Sequence, residues 1–399
     1  IALATFNIAK RFQDDLKATA ETGGGRLINV TEMDGQFGLR SNTFDIAGAG
    51  SVGVCKSLQR ESPKLLVKNI DIDPQTSPEV AASRLLGEFA RDRDELEIGL
   101  DQQGRWRLVL QEEVPGTATL PPTADDAEVV MVTGGAYGIT AESAKQLART
   151  GRKHFVLIGR SPEPPTTPSG EPQDAAGLRS RYIDEMRAGG ERLSPADIER
   201  RVQRTLKNHQ IRRNLADLQD LGCTYEYHSL DVRDTAALSD LIDDVYDRHG
   251  RLDGVIHGAG VIDDKLISDK TAESFATVFG TKVDSANVFA TKLRPESLRF
   301  LVFFSSVSGR FGNAGQSDYS AANEYLNKLA DRLNSHWPGR VVAVNWGPWD
   351  SGMVSDELRQ MYASKGIGII PIREGVESLA AEFYAADDAP AEVALSCSL

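Results

Sequence analysis

The segment from Glu128 to Ser161 constrains the fold more than any other. It reads as a strand, Glu128–Thr133, then the turn Gly134-Gly135-Ala136-Tyr137-Gly138-Ile139-Thr140, a helix to about Thr150, and a strand from His154 to Ile158. This is a βαβ unit with a glycine turn at the strand–helix junction. Glycines there let backbone N–H groups approach a pyrophosphate at the helix N-terminus. Thr133, Gly134, Gly135, Tyr137, Gly138 and Ile139 are therefore candidate cofactor contacts. After the second strand an acid would bind a ribose 2′-hydroxyl, whereas an arginine suits a 2′-phosphate. Arg160 and Ser161 stand at that point, which reads as NADPH.

A second segment carries chemistry. Leu301-Val302-Phe303-Phe304 is an apolar run short enough for a buried strand. Ser305 and Ser306 close it, a glycine-rich loop follows, and the chain becomes helix-like from about Tyr319. Tyr319 and Asn323 project from one face of that helix. A hydroxyl, a phenol and an amide then converge where a carbonyl oxygen could be bound and protonated.

The Ser306–Tyr319 spacing resembles the short-chain dehydrogenase/reductases. That family usually carries lysine four residues after the tyrosine. Here the position is Asn323, which resembles the ketoreductase domains of polyketide and polyunsaturated fatty acid synthases. In that subfamily the lysine comes from an earlier helix, and Lys282 matches it. The glycine turn fits the family's TGxxxGxG pattern except at the last glycine, which is Thr140; this departure bears on how closely the helix can pack. The resemblance also places Asp231 and Val232 at the adenine and Gly258, Ala259 and Gly260 by the nicotinamide ribose. It puts Trp346 to Met353, including Pro348, Trp349 and Met353, beside the nicotinamide and a lid helix at Ser355 to Gly366.

The resemblance implies NADPH-dependent reduction of a 3-ketoacyl thioester on an acyl carrier protein. Ser306 and Tyr319 would bind the carbonyl oxygen, and Tyr319 would donate the proton. Lys282 would favour the phenolate, and Asn323 would hold Lys282 or a water of the relay. Val261-Ile262-Asp263-Asp264 resembles the Leu-Asp-Asp motif of B-type ketoreductases, and Phe311 stands where A-type enzymes carry tryptophan. Asp264 and Phe311 are thus stereocontrol candidates, and a D-configured product is expected. The alternative for both aspartates is capping of the following helix. Two other readings are a catalytically silent scaffold and an epimerising domain of the same synthase.

Composition bounds the rest. A net charge of −13 argues against nucleic acid as the main partner. No apolar run is long enough for a membrane span, and there is no signal-peptide pattern. Cys55, Cys223 and Cys397 are scattered and odd in number, as in a reducing cytoplasm. The histidines show no metal-ligand spacing, so no metal is expected. The chain begins at Ile1 without methionine and reads as a piece of a larger polypeptide.

Strands alternating with helices predict a doubly wound parallel sheet over 127–399. Before it, residues 1–114 alternate helix and strand and close on a hairpin at Glu95–Gly99 and Trp106–Gln111. Leu27 to Gly38 aligns without gaps to Leu301 to Gly312, with Glu32 at Ser306 and Asp45 at Tyr319. The first segment is therefore read as a truncated, degenerate Rossmann-like structural subdomain that binds no cofactor, joined by a Pro/Thr/Asp-rich linker at 115–126. Residues 162–220 form a helical insertion with the N-cap signature Ser194-Pro195-Ala196-Asp197. Its arginines, Arg200, Arg201, Arg204, Arg212 and Arg213, read first as a solvated face and second as a carrier-protein docking surface.

Overall fold

The computed structural model describes residues 1–41, 43–91, 95–112, 127–166, 170–189, 194–350, 356–364, 366–386 and 389–397. The first part holds α1 (Ala2–Glu21), β1 (Arg26–Thr31), α2 (Ala49–Glu61), β2 (Leu66–Ile72), α3 (Pro78–Ala90), β3 (Glu97–Leu100) and β4 (Arg105–Arg107). The second opens with β5 (Glu128–Thr133), α4 (Gly138–Ala148), β6 (Lys153–Gly159), α5 (Ala175–Gly189), α6 (Pro195–Asp220) and β7 (Thr224–Ser229). It continues with α7 (Thr235–His249), β8 (Gly254–His257), α8 (Ala272–Lys292), β9 (Phe300–Ser306), α9 (Val307–Phe311) and α10 (Ser317–Asn334). β10 (Arg340–Trp346), α11 (Asp356–Ser364), α12 (Ile372–Glu382) and β11 (Glu392–Leu395) complete it.

Seven strands form a parallel sheet in the order β11-β10-β9-β8-β5-β6-β7. The chain runs outward through β5, β6 and β7, then returns to the other side of β5 with β8. This is the doubly wound Rossmann arrangement. β5 and β10 are buried throughout, because helices cover both faces of a parallel sheet. Glu128 opens β5 inside this apolar setting, and Lys153 on β6 pairs with it at 2.8 Å.

Four strands form a second sheet, β1-β2-β3-β4, in which only β4 is antiparallel. β4 is shorter than the expected Trp106–Gln111. Val109 and Leu110 lie exposed beyond it, so their apolar character does not mark a strand. The linker at 115–126 lies outside the described residues.

The internal echo extends further than the matched segment. The alignment that sets Leu27 on Leu301 also sets β2, Leu66–Ile72, on β10, Arg340–Trp346. Register follows: Arg26 faces Leu66 as Phe300 faces Arg340. Thr31 Oγ1 donates to Asp71 at 2.7 Å, and Ser305 Oγ donates to Asn345 at 3.1 Å in the matching place. The helices diverge. α10 begins two residues before Tyr319, whereas Asp45 precedes the start of α2. α2 packs against α10 so closely that a Cβ on Gly53 would stand 2.4 Å from the Ser320 carbonyl oxygen.

In the insertion, Ser194 and Asp197 form a full capping box at the start of α6. Arg200 pairs with Asp197 at 2.9 Å, and Arg212 donates to the Pro165 carbonyl at 2.7 Å. These two arginines serve the insertion itself. No helix among the described residues is long and apolar enough to cross a membrane.

Candidate active site

A cleft of about 970 Å³ opens at the C-terminal ends of the strands around the switch between β5 and β8. Ligands of open α/β sheets bind at this place. Gly134 and Gly138 adopt φ of +74° and +63°, and no protein atom lies within 4 Å of where a Gly138 Cβ would stand. The turn is thus an open cradle at the start of α4, and it fits a dinucleotide pyrophosphate. Thr140, in place of the family's last glycine, is buried against Gly258, where a Cβ would meet its Oγ1 at 2.4 Å. The bare Gly258 is what makes room for it.

Tyr137, Ile139, Arg160, Ser161, Asp231, Val232, Ala259, Gly260 and Pro348 line the same cleft. Thr133 and Gly135 lie beneath it. The Ala259 N–H donates to Thr133 Oγ1 at 3.1 Å, and Thr133 Oγ1 bonds His257 Nδ1 at 2.8 Å. His257 Nε2 reaches the Lys282 carbonyl at 3.1 Å. Burial, then the Lys282 charge, holds His257 down to about 3, so it is neutral. The Lys282 carbonyl can only accept, so Nε2 carries the proton and Nδ1 accepts from Thr133 Oγ1. This chain ties the glycine turn to the helix that carries Lys282. His257 was missed in the sequence, although a polar residue at the end of β8 was the available signal. Lys207 was also missed: α6 brings it into the cleft, 5.3 Å from the centroid of the Tyr137 ring.

Ser306, Tyr319 and Lys282 meet in this cleft. Ser306 caps α9, its Oγ accepting from Ser308 N at 3.1 Å. Lys282 is buried, and desolvation lowers it to about 7. One expectation needs correction, and the two roles offered for Asn323 are narrowed to one. The phenol of Tyr319 is raised rather than lowered: burial dominates, and side-chain hydrogen bonds from Asn323 and Ser306 only partly oppose it. Asn323 does not hold Lys282. Its Nδ2 donates to the Tyr319 carbonyl at 2.8 Å, and its buried Oδ1 has no hydrogen-bond partner among the described residues.

Asp264 accepts from Gln316 Nε2 at 3.1 and 3.0 Å, which pins it to the loop between Ser306 and Tyr319. Asp263 accepts from Ser274 Oγ and Lys265 Nζ. Neither aspartate caps α8, whose N-cap is Thr271. Phe311 lines the cleft, and Trp349 is buried edge-on against Trp346 at its margin. Met353 lies outside the described residues. α11 falls where the lid helix was expected.

Away from the cleft, His154, Glu226 and His249 bring possible ligand atoms within 4.8 Å of one another. Both Glu226 oxygens already accept from Arg248, at 2.6 and 2.9 Å. The Arg248 guanidinium therefore already supplies the positive charge beside Glu226.

The fold and the site define a Rossmann-type oxidoreductase with a serine–tyrosine pair. The family model of the KR domain matches residues 128–351, more than half of the chain, and the chain belongs to that ketoreductase family. It is 31% identical over 397 residues to one subunit of the polyunsaturated fatty acid synthase of Thraustochytrium sp., covering 94% of this chain and 14% of that one. It is 28% identical over 388 residues to the polyketide synthase PksN of Bacillus subtilis, covering 94% and 6%. A ketoreductase domain from the bacillaene assembly line has a TM-score of 0.69 at 26% identity, over 99% of this chain and 84% of that one. The chain thus spans a small fraction of its curated relatives.

Proposed function

We propose that this domain reduces a 3-ketoacyl thioester, carried on an acyl carrier protein of a polyketide or fatty acid synthase, to a D-configured 3-hydroxyacyl thioester. NADPH would supply the hydride. The observation that carries the reading is the meeting of Ser306, Tyr319 and Lys282 in one cleft with a glycine cradle and the exposed Arg160. The residues that would hold the cofactor are the turn from Gly134 to Ile139, Arg160 and Ser161, Asp231 and Val232, Gly258 to Gly260, and Pro348.

Ser306 and Tyr319 hold the substrate carbonyl oxygen and stabilise the charge that develops on it. Tyr319 delivers the proton, and its raised phenol keeps that proton in place at neutral pH. Lys282, lowered to about 7, supplies partial positive charge beside the ring at neutral pH, and Asn323 Oδ1, without a hydrogen-bond partner among the described residues, receives a water of the relay. Residues 1–114 act as a structural subdomain, 115–126 as a linker and 127–399 as the catalytic part. Its partners are the carrier protein and other domains of the synthase, in the cytoplasm.

NADPH oxidation with a panel of 3-ketoacyl thioesters tests the reading. Thioester-dependent oxidation is expected. Failure of NADPH to quench the intrinsic fluorescence would leave a silent scaffold, and alpha-proton exchange without NADPH consumption would indicate an epimerising domain.

A further inference from the structure

α2 has no part in the Ser–Tyr site, yet one face of it touches the whole loop that leads from Ser306 to Tyr319. Lys56, Ser57, Arg60 and Glu61 share that face by helical spacing. Lys56 Nζ donates to the Gly309 carbonyl at 3.2 Å. Arg60 Nε donates to the Phe311 carbonyl at 3.0 Å. Ser57 Oγ donates to Ser320 Oγ at 2.9 Å, and Ser320 in turn bonds Ser308 Oγ at 2.8 Å.

Glu61 closes the row. One carboxylate oxygen accepts from Gly315 N and the other from Ile267 N, both at 3.0 Å. These amides belong to two different segments: Gly315 precedes Gln316 in the catalytic loop, and Ile267 follows Asp264. The two segments also bond each other, Lys265 N donating to the Gly315 carbonyl at 2.9 Å and Gln316 to Asp264. A single carboxylate thus clasps both walls of the entrance next to Tyr319.

The charges behind the loop follow the same logic. Lys56 is fully buried and pairs with Glu97 and Glu324, each at 2.9 Å. Such buried pairs add little net stability, because desolvation offsets the attraction. What they fix is geometry.

We propose that the Lys56–Ser57–Arg60–Glu61 face of α2 is the template that sets the active-site loop, so that the half of the chain without the Ser–Tyr pair governs turnover and facial selectivity in the half that has it. The claim rests on the ketoreductase reading above. Glu61 is a positioning residue: it acts through Gly315 and Ile267.

The test is Glu61→Gln in the full chain. Glutamine keeps the size but turns one acceptor into an amide donor, which cannot accept from an N–H. Hydrogen exchange at whichever of Gly315 and Ile267 faces the new amide group is expected to accelerate by about tenfold, the scale of one lost charged hydrogen bond. kcat should fall by a similar factor with the NADPH KM unchanged, and the enantiomeric ratio of the product should narrow. Arg60→Met should raise exchange around Phe311 and lower kcat in the same direction. Ile70→Val, in the core of the first sheet, is the control for a general loss of stability. Wild-type exchange, kcat and product ratio in Glu61→Gln would overturn the proposal, and so would equal losses in Ile70→Val at a matched Tm. If the wild-type chain reduces no 3-ketoacyl thioester, the ketoreductase reading fails, and the exchange rates alone then decide the template.

Discussion

Lys282 Nζ stands 5.5 Å from the centroid of the Tyr319 ring and donates to the Phe304 carbonyl at 2.6 Å. Enclosure acts on both groups in the same way: each is pushed toward its neutral form, Lys282 down to about 7 and the phenol up. The lysine predicts a pH-dependent stability. Unfolded, it titrates near its ordinary 10.5, and folded near 7. Between those values the unfolded chain holds a proton that the folded chain lacks, so this group makes stability rise with pH across the window. Below 7 the full cost of burying the charge is present. Above about 10 the raised Tyr319 opposes the trend. Urea midpoints across the window should therefore rise less in Lys282→Met than in wild type. Parallel curves would contradict the burial argument.

Tyr319→Phe should leave NADPH binding nearly intact and lower turnover by about 10²–10⁴, the usual contribution of a general acid. Fluorescence titration and steady-state kinetics separate the two effects. Wild-type turnover in this variant would remove Tyr319 from the chemistry.

Arg160 is exposed at the tip of β6 and lines the cleft beside Ser161. Its positive charge helps hold the Asp231 carboxyl below the usual range, after the larger effect of Arg233. Arg160→Ala should weaken NADPH far more than NADH, since only NADPH carries the phosphate a guanidinium can pair with. Calorimetry with both cofactors reads this directly. Equal losses would show that Arg160 does not read the phosphate.

The strands were legible because a parallel sheet buried on both faces leaves near-continuous apolar runs such as Leu301–Phe304 and Val341–Val344. The glycine turn and the Ser306–Tyr319 pair were legible because each lies within one short segment. The Thr133–His257–Lys282 chain was not, because it joins β5, β8 and α8, and no local pattern marks the pairing. Lys207 was hidden for a similar reason: only the packing of α6 brings it to Tyr137. The raised phenol of Tyr319 depends on enclosure, which residue spacing does not report. β4 was overextended because exposed Val109 and Leu110 imitate a strand.

Lys270 and Asp318 form an ion pair at 2.7 Å that is almost wholly buried, immediately before Tyr319. Asp318 also accepts from the Tyr319 N–H at 2.8 Å, and Lys270 donates to the Asp263 carbonyl. Lys270→Met leaves a buried carboxylate without its cation and should cost about 3–5 kcal/mol of stability. Lys270→Met combined with Asp318→Asn should recover much of that loss, because no uncompensated charge remains. Urea unfolding of wild type and the two variants measures both steps. A single variant as stable as wild type would show that the pair is not electrostatically coupled.

The last prediction concerns the product. On the proposed function, hydride would arrive from a fixed face of the nicotinamide, so the side from which the phosphopantetheine arm enters would decide which face of the ketone is struck. Ile262 and Asp264 stand in the segment that matches the B-type motif, and Asp264 is held by two hydrogen bonds from Gln316. Phe311, the residue that the family resemblance sets at the A-type tryptophan position, lines the cleft. Asp264 thus forms a fixed polar edge beside Tyr319, close enough for its charge to raise the phenol. On the proposed function, an arm guided along this edge should give the D-configured 3-hydroxyacyl product. Gln316→Ala frees Asp264 and also removes the acceptor of Ser308 Oγ, which keeps its bond to Ser320 Oγ; it should raise the L fraction while NADPH binding stays as in wild type. Chiral chromatography of the two reaction products decides the point: a predominantly L alcohol from the wild-type chain refutes the entry-side argument, and an unchanged ratio in Gln316→Ala removes Asp264 from it.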